Sequence, residues 1–180
     1  IIEYFFTLLH LGILAAFPLL MAWGMVSDIR TLNIPNVIPV ILFVLFLPAS
    51  LMAGWSFGDI ALQYGAGLAL LVPLIFLYAG GYIGGGDLKL LVATAVWIGW
   101  QAMATYLITA ALIGGGLALI VLSLRKMPEL PYLRRLPWLR PSTGPAEGIP
   151  YGVAIAVAAI ILFPRLDIAL AGEAALARLF

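Results

Sequence analysis

Two aspartates stand where an apolar chain can least easily hide them: Asp28 in Ser27-Asp28-Ile29-Arg30-Thr31-Leu32-Asn33-Ile34-Pro35-Asn36, and Asp87 in Gly84-Gly85-Gly86-Asp87-Leu88-Lys89. Each lies where a long hydrophobic run meets a loop. A carboxylate at membrane depth is costly enough to mark a functional site. Cleaving an amide needs a base to activate water and an acid to polarise the carbonyl, and two close carboxylates supply both, because repulsion keeps one protonated while the other ionises. Such a pair titrates as a unit, so sequence assigns the base to neither residue. The chemistry these residues imply is aspartyl proteolysis within a membrane, without metal or organic cofactor.

The neighbouring residues suit that task. Gly84, Gly85 and Gly86 let the backbone unwind and approach closely before Asp87. Ile34-Pro35-Asn36 forces a turn that starts the next span. Arg30 and Lys89, each two residues beyond its aspartate, either hold the ionised form of the pair or anchor the helix ends to lipid headgroups.

Composition sets the context for both motifs. Of 180 residues 64% are hydrophobic and 9% charged, with a mean hydropathy of +1.16. No water-soluble domain of this size carries that balance without large exposed apolar patches. The absence of Cys and the single His exclude disulfides, thiolate nucleophiles and His-based metal clusters. A net charge of +1 offers nothing to nucleic acid.

A spanning helix needs about 20 apolar residues. The hydrophobic runs predict an all-α bundle of six transmembrane helices, at roughly 4–26, 36–53, 59–79, 87–100, 101–123 and 149–163, forming one peptidase domain over 1–180. The fourth and fifth are separated only by Gly99-Trp100-Gln101, yet one helix from Leu88 to Leu124 would run about 55 Å, nearly twice the hydrocarbon thickness. With six spans, Arg30, Lys89, Arg125, Lys126, Arg134, Arg135 and Arg140 fall on one side and Arg165 and Arg178 on the other, which makes the first side cytoplasmic. Both aspartates then meet at the cytoplasmic face, and both termini and the turn Gly54 to Asp59 lie outside. The segment from about 125 to 148, with Pro128, Pro131, Pro137, Pro141 and Pro145, is no continuous helix. It reads as a cytoplasmic surface connector held to anionic lipid by its Arg residues, or as a docking surface. The tail from Arg165 has apolar residues at helical spacing and is expected to lie along the outer interface.

Other polar residues carry less. His10 lies about 27 Å from Asp28 at helical rise and cannot serve the pair directly. Ser142 and Thr143 have no Gly-x-Ser-x-Gly elbow. Asp59 reads as a helix N-cap, and Glu147 as a loop carboxylate that could meet a basic peptide. Gly65-Ala66-Gly67 and Gly114-Gly115-Gly116 read as close-packing sites.

At the two aspartates the chain resembles the type IV prepilin peptidases, in particular their short form associated with tight-adherence (Flp) pili. The resemblance rests on Asp28, Arg30, Ile34, Pro35 and Asn36, on Gly84-Gly85-Gly86-Asp87 with Lys89, and on Gly148-Ile149-Pro150-Tyr151-Gly152 opening the last span. It implies that Asp28 and Asp87 are the catalytic pair of a Gly-x-Gly-Asp protease, with Arg30, Pro35, Asn36, Gly84, Gly86, Lys89 and Pro150 as supporting motif residues. The substrate implied is a prepilin, cut after the Gly that ends a short basic leader at the cytoplasmic face of the bacterial inner membrane. Pilus assembly machinery is a further partner the resemblance allows. Larger members look like peptidases fused to an N-terminal Cys-bearing methyltransferase region; without those Cys residues, cleavage without methylation is the expectation. The Pro-Ala-Leu motif of presenilin-like proteases is absent from the sequence.

The rival reading is an ion-coupled transporter or channel, since intramembrane Asp and Gly-broken helices also mark ion sites. It requires acids near the midplane and an internal repeat, and the sequence carries neither.

Overall fold

The apolar runs become helices because a backbone inside lipid must satisfy its own amides and carbonyls. The computed structural model describes residues 2–126, 138 and 148–177, and among these it contains helices and no strand. They are α1 (Ile2–Thr31), α2 (Val37–Met52), α3 (Phe57–Ala79), α4 (Gly85–Arg125), α5 (Tyr151–Leu162), a 3-10 turn (Phe163–Arg165) and α6 (Asp167–Ala177). By length and composition α1, α3 and α4 could each cross a membrane, and α5 with α6, bent by 47°, could form one more span; α2 is a shorter apolar helix. The protein is an all-α, multi-pass membrane bundle.

The expected break between the fourth and fifth spans falls inside α4. Gly99 leaves helical geometry at φ 69°, ψ 178°, a region that glycine alone occupies readily. The chain reverses there. Leu91 and Leu107 line the same cavity as Asp87, although 16 helical residues would hold them about 24 Å apart on a straight rod. At the far end of α4 the Arg125 guanidinium donates to the Gly148 carbonyl (3.4 Å), beside that cavity. The side chain of Gln63 on α3 packs directly over Gly99, and Trp100 Nε1 donates to the Leu62 carbonyl (3.0 Å).

An aromatic cluster fills the middle of the bundle. Phe17 lies 4.9 Å from Trp97 and 4.6 Å from Phe163 between ring centroids, Phe46 lies 5.6 Å from Trp97, and Trp97 Nε1 donates to the Leu42 carbonyl (2.9 Å). Such rings combine a large apolar surface with one polar handle that must find a partner when buried.

Several expectations change in detail. Ser56, not Asp59, is the N-cap of α3: its hydroxyl accepts from the Asp59 amide at 3.2 Å, with Asp59 completing a capping box, because the acid sits three residues into the helix. The described part of the tail, α6, packs on the bundle. Ile168, Ala169 and Gly172 form a buried face on α6, and Gly172 lies against Leu14 of α1, so this apolar face is covered by protein. Gly67 and Gly114 do allow close packing, against Val96 and the Tyr151 ring, whereas Gly65, Gly115 and Gly116 have no neighbour within 4 Å of a notional Cβ. His10 is buried near the end of the bundle remote from the aspartates, bonded to the Ala49 backbone. Arg134, Arg135, Arg140, Ser142, Thr143, Glu147 and Arg178 lie outside the described residues.

The Gly99 reversal generates a stability test. Gly99→Ala forces a side chain into a left-handed conformation and onto Gln63, and should cost about 1–3 kcal/mol, read as a lowered thermal midpoint in detergent. Gly115→Ala, which adds a methyl to open space, should leave the midpoint unchanged.

Candidate functional site

Asp28 lies in the last turn of α1, and local chemistry ends the helix just beyond it. Leu32 takes a left-handed φ of 53°, and its amide donates to the Asp28 carbonyl at 2.9 Å. The conformation is unfavourable for a residue with a Cβ. It is held by the hydroxyls of Ser27 and Thr31, which donate to the Asn33 carbonyl at 2.8 and 3.3 Å. The chain then turns through Ile34 and Pro35 into α2.

The Asp28 carboxylate is buried and points at the start of α5. The Gly152 amide donates to Asp28 Oδ2 at 2.7 Å, and the Val153 amide is a second donor. These are first-turn amides, which have no partner within their own helix and lie at its positive end. Pro150 is the N-cap of α5, and the Val153 amide also reaches the Pro150 carbonyl (3.2 Å). A helix start thus supplies donors to a buried carboxylate that, among the described residues, has no basic side chain bonded to it.

Asp87 is the third residue of α4, after the N-cap Gly84, and its carboxylate accepts from the Gly84 amide. Asp28 and Asp87 line one cavity of about 700 Å³, close enough for their charges to repel. Its walls are otherwise mostly apolar, with Leu32, Leu91, Leu107, Ala110 and Ile155 among them, and Tyr82 and Tyr151 also line it.

Ile34 joins these pieces. It is buried, and Cβ positions built on Gly86 and Gly152 would lie 3.3 Å from its Cβ and 2.7 Å from its Cδ1, with Gly24 of α1 4.0 Å from its Cγ2. Three glycines on three helices form a socket for one side chain, and two of them adjoin the aspartates. Gly84, Gly85 and Gly86 are each closely approached by a side chain. None of the three glycines has positive φ; they are small because Asp87, Tyr78 and Ile34 occupy the space beside them.

The supporting residues divide. Asn36 and Lys89 come together, Lys89 Nζ donating to Asn36 Oδ1 at 2.9 Å, so Lys89 ties α4 to the start of α2. Arg30 is exposed at the end of α1, and Pro35 is half-buried in the turn. Sequence reasoning missed the roles of Ile34 and Gly152, although both stand in the quoted motifs. It also missed Trp138, whose Nε1 donates to the Ile29 carbonyl at 2.7 Å while its own carbonyl accepts from Arg125 Nε at 2.8 Å. Nothing about Trp138 beyond its residue type could have signalled that contact. Among the described residues no group of three or more His, Cys, Asp or Glu could hold a metal ion.

Two carboxylates in one cavity, at the end of an all-α bundle rich in apolar helices, define the class: a multi-pass helical membrane protein with a paired-aspartate site. Residues 15–119 match the type IV leader peptidase family, and the chain belongs to that family. It is 37% identical over 119 residues to the prepilin leader peptidase/N-methyltransferase of Pectobacterium carotovorum subsp. carotovorum, covering 63% of this chain and 43% of that protein. The protein of the same name from Aeromonas hydrophila is 32% identical over 143 residues, with coverage of 71% and 49%; that of Aeromonas salmonicida (strain A449) is 31% identical over 143 residues, with 71% and 48%. The chain spans about half the length of these curated relatives. No solved structure matches it.

The packing at Gly152 can be checked directly. A methyl at this position would lie 2.8 Å from Asp28 Oδ2 and 2.7 Å from Ile34 Cδ1, so Gly152→Ala must push α5 off the carboxylate and lower the thermal midpoint. Gly148→Ala, with no neighbour within 4 Å, should not.

Proposed function

We propose that the chain is an aspartyl endopeptidase that removes the leader peptide from a prepilin, with Asp28 and Asp87 as its catalytic pair. The observation that carries this reading is their shared cavity in a chain of the type IV leader peptidase family. Three relatives bear the name prepilin leader peptidase/N-methyltransferase, which supports a prepilin as the substrate. The pair has what peptide hydrolysis requires. One carboxylate takes a proton from water as the other gives one to the scissile carbonyl, and the roles reverse as the tetrahedral adduct collapses. Amides of α5 hold Asp28 and the Gly84 amide holds Asp87.

The site fits a substrate that crosses the membrane boundary. The aspartates lie at helix ends, with apolar side chains such as Leu91, Leu107 and Ile155 sharing their cavity, and an extended polar leader with an apolar continuation suits that arrangement. We further assign this end to the cytoplasmic face of the bacterial inner membrane, because Arg30, Lys89, Arg125 and Lys126 fall on it by sequence. The short form acting on Flp-type pilins, in association with pilus assembly machinery, is the member the motifs resemble most.

Three outcomes test the proposal. Asp28→Asn and Asp87→Asn should each lower cleavage of a purified prepilin by about 10²–10⁴-fold while the variants remain folded in detergent; near-normal turnover by either removes the pair. Cleavage should survive exhaustive chelation, and loss of activity restored by a divalent ion would replace the unaided pair with a metal mechanism. For orientation, single cysteines at positions 57 and 126 of this Cys-free chain should differ in intact cells, with an impermeant thiol reagent labelling the first and not the second.

A further inference from the structure

Beside the aspartate cavity, on the other side of α4, lies a second recess of about 340 Å³ between α2, α3 and α4. Its position follows from helical spacing. Asp87 and Leu91, four apart, line the aspartate cavity, whereas Leu88, Lys89, Val92 and Ala93 line the recess. Residues two apart on a helix are separated by about 200° around its axis, so Lys89 and Asp87 face opposite ways and a peptide bound at the aspartates does not occupy this recess. α2 contributes buried Pro39 and also Val40, Phe43 and Val44, which are 59%, 38% and 61% exposed. In a membrane bundle such side chains face lipid.

One end of this apolar groove is polar. Among the described residues Lys89 is the only charged one that lines it, and Asn36 lies beside it. Lys89 Nζ gives one hydrogen to Asn36 Oδ1 (2.9 Å), and an ammonium has three to give. A lysine whose stem lies along apolar surface and whose head reaches the interface is placed for a headgroup. Among the described residues no carboxylate lines the groove, so the charge they give it is positive. The complementary occupant is an amphiphile with a negative head and an apolar tail.

We infer that this groove binds an anionic phospholipid, its phosphate on Lys89 and Asn36 and an acyl chain along Val40, Phe43, Val44 and Val92. The bound lipid then lies against the helix that carries Asp87, on the face turned away from the cavity. A zwitterionic lipid offers the same tail but adds a cation beside Lys89, so headgroup charge decides the preference.

The purified full chain in detergent, titrated with dioleoylphosphatidylglycerol or dioleoylphosphatidylcholine and read by native mass spectrometry, tests this. The expected result is one retained lipid with about fivefold preference for phosphatidylglycerol, the factor matching the roughly 1 kcal/mol that one basic residue contributes at an anionic surface. Lys89→Gln should bring the two lipids to parity, and Lys89→Arg should keep the preference. Val40→Trp, which fills the groove from an exposed wall position, should lose the retained lipid of either kind. Leu119→Trp, at a 70% exposed position on α4 outside the groove, should bind as the unmodified chain does. Equal retention of both lipids by the unmodified chain, an unchanged preference in Lys89→Gln, or normal retention in Val40→Trp overturns the inference. A dimer that Val40→Trp dissolves would overturn it too, by making the groove a contact between copies.

Discussion

The hydrogen bond from the Gly152 amide to the Asp28 carboxylate is the contact on which the rest of the arrangement depends. A carboxylate taken out of water costs several kcal/mol unless donors replace its hydration, and here the donors are the first amides of α5. That requirement fixes where α5 starts and how near it comes. It also fixes what may stand at 152, since any side chain there would displace either the carboxylate or Ile34. Ile34 in turn presses on Gly86, so the distance from α1 to α5 and the seating of α4 are set by one wedge.

Asp87 reaches this place by a different route. A straight α4 would carry its second half away from the cavity; the reversal at Gly99 returns it, so that Leu107 and Ala110 wall the space above which Asp87 sits. The reversal is itself held by Gln63, by the Trp100 bond to α3 and by the aromatic cluster around Trp97. Stabilising contacts at the reversal and in the middle of the bundle therefore define the cavity at its other end, through helices that act as rigid rods.

Most of the fold was legible because lipid imposes strong rules. Apolar runs had to be helices, and the length of the fourth run demanded a break, which occurs at Gly99. What hydrophobicity could not give was the fate of α6: a face of Ile168, Ala169 and Gly172 suits a lipid interface and a protein neighbour equally well, and only the complementary surface of α1 decides. At the site, the spacing of Asp28 and Asp87 from helix ends was readable, and Asn36 and Lys89 could be singled out by their motifs. Their partnership could not, because a hydrogen bond between residues 53 apart in sequence leaves no local trace. For the same reason the packing of Ile34 against Gly24, Gly86 and Gly152 left no mark in the sequence.

The Asp28 to Gly152 contact spans 124 residues of chain. During synthesis at about 5–20 residues per second, Asp28 is made roughly 6 to 25 s before its amide partner exists. Through that interval the carboxylate has to be hydrated, which a position at the end of α1 permits and one at its centre would not. The address of this aspartate therefore answers to the order of biogenesis as well as to the finished bundle: a helix that must enter the bilayer alone can carry an acid only where water still reaches it.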